Sequence, residues 1–226
     1  MFATVENYFA KNKGIFLYLI IFLTAWTLRV YFITPFITFE SELLQRLTNE
    51  ALRVVMWAIP PILYLMYFDL IDKPLNALKV TSPIDGKKAL FYTFLGLAYV
   101  AVGIAVQVFF FNQKLVPVPI GNVFVFLLNF VSLPIIEELT FRGFVLEKLS
   151  STHNLHVAII MQAFFFMLMH IPGWLVFRGF STMMLRDLVG VFILGIIFGY
   201  IAKKSNSILP AAAVHAINNL LVGYLI

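Results

Sequence analysis

Long apolar runs separated by short polar stretches make up most of this chain. Taking about 20 apolar residues as one bilayer crossing, they predict seven spans, at 14–36, 51–68, 89–111, 121–149, 154–173, 186–203 and 207–226. Ahead of the second span, Leu43, Leu44, Leu47, Ala51 and Val54 recur at helical spacing among Glu40, Glu42, Arg46, Glu50 and Arg53. That period predicts an amphipathic approach helix lying in the membrane interface. Ser82-Pro83-Ile84-Asp85 reads as a helix start, with Ser82 as hydroxyl cap, a proline at the first helical position and an acid in the first turn. Ser207 with Pro210 opens the last helix in the same way, and Pro117 and Pro119 mark the loop before the fourth span. The pattern predicts an all-α, polytopic membrane helix bundle of about seven transmembrane helices. Residues 1–226 are expected to form a single integral-membrane domain, with no internal repeat.

Composition strengthens this picture. The chain is 62% hydrophobic with 12% charged residues and a mean hydropathy of +0.95, against about 25% charge in an ordinary soluble domain. The net charge of +5 would suggest nucleic acid in a soluble protein. Here the basic residues fall in short segments between spans, so they report topology, and no nucleic-acid partner is expected. With the N-terminus inside, the inner segments hold Lys11, Lys13, Lys73, Lys79, Lys87, Lys88, Arg142, Lys148, Lys203 and Lys204, and the outer ones Arg46, Arg53, Lys114, Arg178 and Arg186. Ten against five favours a cytoplasmic N-terminus. Arg29, near the outer end of the first span, is expected to snorkel to the interface. The basic N-terminal stretch and its apolar run look like a signal peptide, but no small-x-small cleavage site follows, so a retained span is expected. Cysteine is absent, which removes disulfides, thiolate metal sites and a cysteine nucleophile.

The candidate chemistry lies in the interruptions of the apolar runs. Glu137 and Glu138 follow the run from Asn122 to Ile136. An unpaired carboxylate in hydrocarbon costs about 2.5–3.5 kcal/mol on insertion scales. Arg142 is four residues after Glu138 and shares its helix face, so the two can pair, while Glu137 points about 100° away and is left for another task. A helix end in water would carry the same charges, but Phe141, Phe144, Val145 and Leu146 continue the apolar character past them. His170 closes the run AIIMQAFFFMLMH, four residues after Phe166, and His215 and Asn219 are again four apart in the last span. Singly, each of these polar groups could be interfacial or could glue helices together. His153 and His156 sit in a polar turn and need no special role. Counted from a turn near Ser151, straight helices would leave Glu137 and His170 offset by about 8 Å.

Jointly the islands are more specific. The pattern Glu137-Glu138-x-x-x-Arg142, then Phe166-x-x-x-His170, then His215-x-x-x-Asn219 resembles the CPBP intramembrane proteases, the Abi family of CAAX prenyl endopeptidases and bacteriocin-processing enzymes. The resemblance covers roughly residues 120–223, including Gly143 after Arg142 and Ser207 and Pro210 before His215. It implies a membrane-embedded endopeptidase acting on a peptide or protein with a membrane-associated cleavage site, within the lipid bilayer. The small chain looks more like the bacterial branch, which implies a bacterial plasma membrane.

Peptide hydrolysis in a membrane needs an activated water, donors for the oxyanion and an acid for the leaving amine. Glu137 suits the base, and His170 would help to hold the water. His215 and Asn219 would donate to the oxyanion, and Glu138 with Arg142 would orient Glu137; the resemblance implies the same roles. A metal variant uses the same residues, with Glu137, His170 and His215 binding Zn²⁺. The motif supplies no obvious second carboxylate to orient a ligand histidine, and the sequence leaves both variants open. Two rival functions use the same side chains: a catalytically silent, peptide-binding immunity protein and a proton-coupled transporter. A transporter would be expected to show repeated or broken helices in corresponding halves, and the sequence shows none.

Overall fold

The computed structural model describes residues 2–116 and 126–223. The expected loop at Pro117 and Pro119 lies outside them, as do the first residues of the predicted fourth span and the last three of the seventh. Helices α1 (Phe2–Leu28), α2 (Glu42–Arg53), α3 (Ile59–Tyr67), α4 (Pro74–Ala77) and α5 (Gly86–Phe111) form the first half. Helices α6 (Leu133–Glu138), α7 (Leu146–Ser150), α8 (Leu155–Leu168), α9 (Ile171–Arg178), α10 (Thr182–Ser205) and α11 (Leu209–Gly223) form the second. Helices satisfy most of their backbone groups within their own segment, as a bilayer requires.

Among the described residues, four stretches are long and apolar enough to cross a membrane: Lys13–Phe36, Gly86–Phe111, Leu155–Arg178 and Thr182–Ser205, while α11 is apolar but shorter. The fold is therefore the helical membrane bundle expected, and the four stretches account for four of its seven expected spans. The predicted second and fourth spans fall in helices that carry ionisable residues, and this lowers their apolar length.

Prolines and wide π-type turns shape the bundle. Wide turns occupy Arg29–Ile33, Val54–Ala58, Leu128–Ser132 and Leu139–Val145; such turns gather at functional sites. Helix α2 runs through Val54–Ala58 into α3 with helical backbone throughout. The amphipathic segment is thus continuous with its span and not a separate interfacial helix. Pro61 lacks the N–H that would reach the Trp57 carbonyl, and the Thr140 hydroxyl donates to that carbonyl instead, at 2.9 Å. Pro172 likewise interrupts the ladder where α8 gives way to α9. The Met169 carbonyl beside that break accepts from the Trp26 indole at 2.9 Å.

An aromatic wall carries α1 to the centre of the second half. Phe22 meets Trp57 edge-on at 5.2 Å and Phe141 at 6.0 Å, and Phe141 meets Phe166 at 5.2 Å. Ile15, Leu19, Phe22 and Trp26 from α1, with Val30 from the wide turn after it, share one core with Phe141, Phe144, Leu146 and Phe166.

Two local expectations change. The cap of α5 is Asp85, whose side chain accepts from Lys88 N, and Ser82 donates to the Asn76 carbonyl at 2.9 Å. Asp85 lies three residues nearer the apolar run than Ser82 and a carboxylate caps well, so it wins the position. Arg29 does not snorkel: it is 4% exposed, donates to Asn49 Oδ1 at 2.7 Å and lies 4.9 Å above the Trp26 ring. Ser207 does open the last helix, its Oγ accepting from Leu209 N at 3.2 Å.

Candidate active site

Pro134 sits near the start of α6, just after the wide turn Leu128–Ser132. Four residues on, α6 ends in Glu137 and Glu138, which are 6% and 0% exposed. The wide turn Leu139–Val145 follows, with all its residues buried. Within it Arg142 reaches back, and its Nη1 donates to Glu138 Oε1 at 2.9 Å with both side chains fully enclosed. The pairing expected from the four-residue spacing is present.

A second donor converges on the same oxygen. His215 Nδ1, from α11, donates to Glu138 Oε1 at 2.9 Å. A carboxylate only accepts, so Nδ1 carries the hydrogen and the ring directs Nε2 elsewhere. His215 Nε2 lies 3.6 Å from Glu137 Oε2. The motif does therefore supply a carboxylate that orients a histidine, contrary to the sequence expectation. It is Glu138, whose partner is invisible in sequence because 77 residues separate the two.

Aromatic rings fill the space around this cluster. The Phe198 ring stacks on His215 at 5.0 Å, and Phe166 meets it edge-on at 6.0 Å. The Arg142 guanidinium lies 4.2 Å above Phe166 and 5.2 Å from Phe198. A buried cation without water gains from such faces. His170 stands at the break between α8 and α9, where its Nδ1 donates to the Phe166 carbonyl at 2.8 Å and its ring meets Phe166 at 4.9 Å. Phe166 thus touches both histidines. Asn219 is half-buried one turn after His215, and its Oδ1 accepts from Asn218 at 3.4 Å.

The structure therefore brings Glu137, Glu138, Arg142 and His215 into direct contact range and links His170 to them through Phe166. Sequence reading missed Gln162, Gly195 and Phe198. Gln162 Nε2 donates to the Gly195 carbonyl at 2.8 Å, and Arg142 Nη2 approaches the same carbonyl at 3.5 Å. A Cβ on Gly195 would meet Ala163 Cβ at 2.9 Å, and one on Gly199 would meet Gln162 Nε2 at 3.1 Å. The signal was present in Gly195-x-x-x-Gly199, the small-residue spacing that lets membrane helices approach closely.

For zinc, the donor chemistry is suitable, with two imidazoles each tied at Nδ1 to an acceptor and a nearby carboxylate. Their placement is not: among the described residues no three His, Asp or Glu side chains form a group that could hold a metal ion. As arranged, Glu137, His170 and His215 do not fit a three-ligand centre.

Residues 119–221 match the family model of the Rce1-like type II CAAX prenyl endopeptidases. The matched segment is the one that carries all three motifs, so the resemblance read from them is borne out there. Comparison with curated proteins gives no match, and comparison with solved structures gives none.

Proposed function

We propose that this chain, whose motif-bearing half matches the type II CAAX prenyl endopeptidases, is a membrane-embedded endopeptidase that cleaves near the C-terminus of a membrane-associated peptide or protein. The observation that carries this reading is the pairing of Glu137 Oε2 with His215 Nε2 at 3.6 Å, with the other nitrogen of His215 fixed by Glu138.

That separation exceeds a direct hydrogen bond and suits two acceptors sharing one water. A water donating one hydrogen to each atom keeps a lone pair for the scissile carbonyl carbon. As the water oxygen bonds to carbon, Glu137 takes its proton. The tetrahedral oxyanion draws on donors within reach of the cluster, of which the Asn219 amide is the neutral candidate. When the C–N bond breaks, the Glu137 carboxylic acid returns the proton to the leaving amine, and the enzyme is restored. Glu138 and Arg142 are positioning residues: they hold the tautomer and angle of His215. His170, anchored on the Phe166 carbonyl, offers its Nε2 to the water or the substrate.

The chain works, in this reading, as one integral-membrane unit over residues 1–226 with a cytoplasmic N-terminus. The supporting experiment is cleavage of a farnesylated Cys-aliphatic-aliphatic-X peptide by protein reconstituted in liposomes, with Glu137→Gln as control. Cleavage by the wild type and none by the control is expected. Cleavage by both proteins at equal rates would sink the assignment, and no cleavage by either would favour a silent binding protein.

A further inference from the structure

A second polar cluster is buried beside the site, outside the three motifs. Glu50, 8% exposed, accepts from Ser132 Oγ at 2.9 Å and pairs with Arg53. Arg29 is held by the neutral Asn49, and Arg53 lies near enough to act electrostatically on both Arg29 and Glu137. Arg29 Nε and Arg53 Nε are buried without a hydrogen-bond partner among the described residues. Two guanidinium groups thus stand around one carboxylate, Glu50, in surroundings that poorly solvate an excess charge. Such an arrangement favours a visiting anion.

An apolar groove of about 780 Å³ opens against this cluster, lined by Leu43, Leu47, Val54, Val131, Ser132 and Ile136 among others. Its volume falls within the roughly 300–1,000 Å³ of ligand clefts. Ser132 joins groove and cluster, and Ile136 adjoins Glu137. Along the helix, the five residues from Ser132 to Glu137 rise about 7.5 Å, and Ser132 meets the Glu50 carboxylate that pairs with Arg53. An extended tripeptide spans about 10 Å. The groove therefore has room for a short apolar tail between Ile136, the neighbour of Glu137, and Ser132, the partner of the Glu50–Arg53 pair.

We propose that Arg53, with Arg29 behind it, receives the free α-carboxylate of a substrate tail lying in this groove, and so sets the distance from chain end to cleaved bond. The proposal rests on the endopeptidase reading for its substrate, but its test does not depend on turnover.

The test measures binding of a fluorescent farnesylated Cys-aliphatic-aliphatic-X peptide, and of its C-terminal amide, to detergent-purified wild-type and Arg53→Gln protein. Cleavage is followed in the same samples. Wild type should bind the acid about tenfold or more tighter than the amide. Arg53→Gln should bring the acid down to the level of the amide and leave amide binding unchanged. Equal binding of acid and amide by the wild type, or binding of neither, overturns the proposal whether or not the variant folds. Discrimination that survives in both Arg53→Gln and Arg29→Gln overturns it too. Discrimination in binding without any cleavage supports this subsite while refuting the endopeptidase reading.

Discussion

Glu138 and His215 stand 77 residues apart in the chain and 2.9 Å apart in space, and the oxygen that receives His215 also receives Arg142. A single carboxylate oxygen therefore fixes a cation and an imidazole at once. Glu138→Gln should strand Arg142 in a fully enclosed position, and breaking a buried ion pair costs about 3–5 kcal/mol. A clear drop in thermal midpoint together with lost cleavage is expected. Unchanged stability of the purified variant would show that the pair is not holding the site.

Glu137→Gln should behave differently. Glu137 is buried, but it stands 3.6 Å from His215 Nε2, beyond a direct hydrogen bond, and glutamine keeps its volume. Cleavage should fall by about 100-fold or more, the scale of a lost general base. The thermal midpoint should stay close to wild type. Measuring both in one preparation separates this residue from Glu138.

Gly143 tests the packing that supports the wide turn. A Cβ there would collide with the Leu78 carbonyl oxygen, whereas at Gly103 it would meet nothing within 4 Å. Gly143→Ala should destabilise by about 1–3 kcal/mol, and Gly103→Ala, inside α5, should be neutral or slightly stabilising. Thermal unfolding of the two variants side by side gives the comparison, and equal midpoints would contradict it.

Topology is open to cysteine labelling, because the chain has none of its own. Asp85 N donates to the Ser205 carbonyl at 2.9 Å, and Asn206 Nδ2 donates to the Pro83 carbonyl at 3.1 Å. The helix ends bearing Lys87 and Lys204 must therefore face the same side. Lys87→Cys and Lys204→Cys should both be protected from an impermeant maleimide in intact cells and both react after permeabilisation. Reaction of both in intact cells would invert the orientation, and reaction of only one would contradict the bundle.

Residues within one helical turn of each other were legible in the sequence. The Glu138–Arg142 pair and the Ser207 start of α11 follow from spacing alone. What escaped was set by where the backbone leaves the regular helix. His170 stands at a proline-associated break, not inside a straight span, so counting 1.5 Å per residue misplaces it. Arg29 turned inward because Asn49, on another helix, offers an oxygen that hydropathy cannot register. Gln162 and Phe198 read as filler until Gly195 and Gly199 are seen to draw their helices together.

The indole of Trp26 on the Met169 carbonyl has a consequence for dissection of the molecule. The interrupted helix beside His170 leaves a carbonyl that lipid cannot solvate, and the donor that quiets it comes from α1, far outside residues 119–221. A fragment cut to the recognisable half would keep every motif yet lose that donor, along with the aromatic wall behind Phe141. The unremarkable first hundred residues thus act as the solvent in which the chemistry of the second half is dissolved.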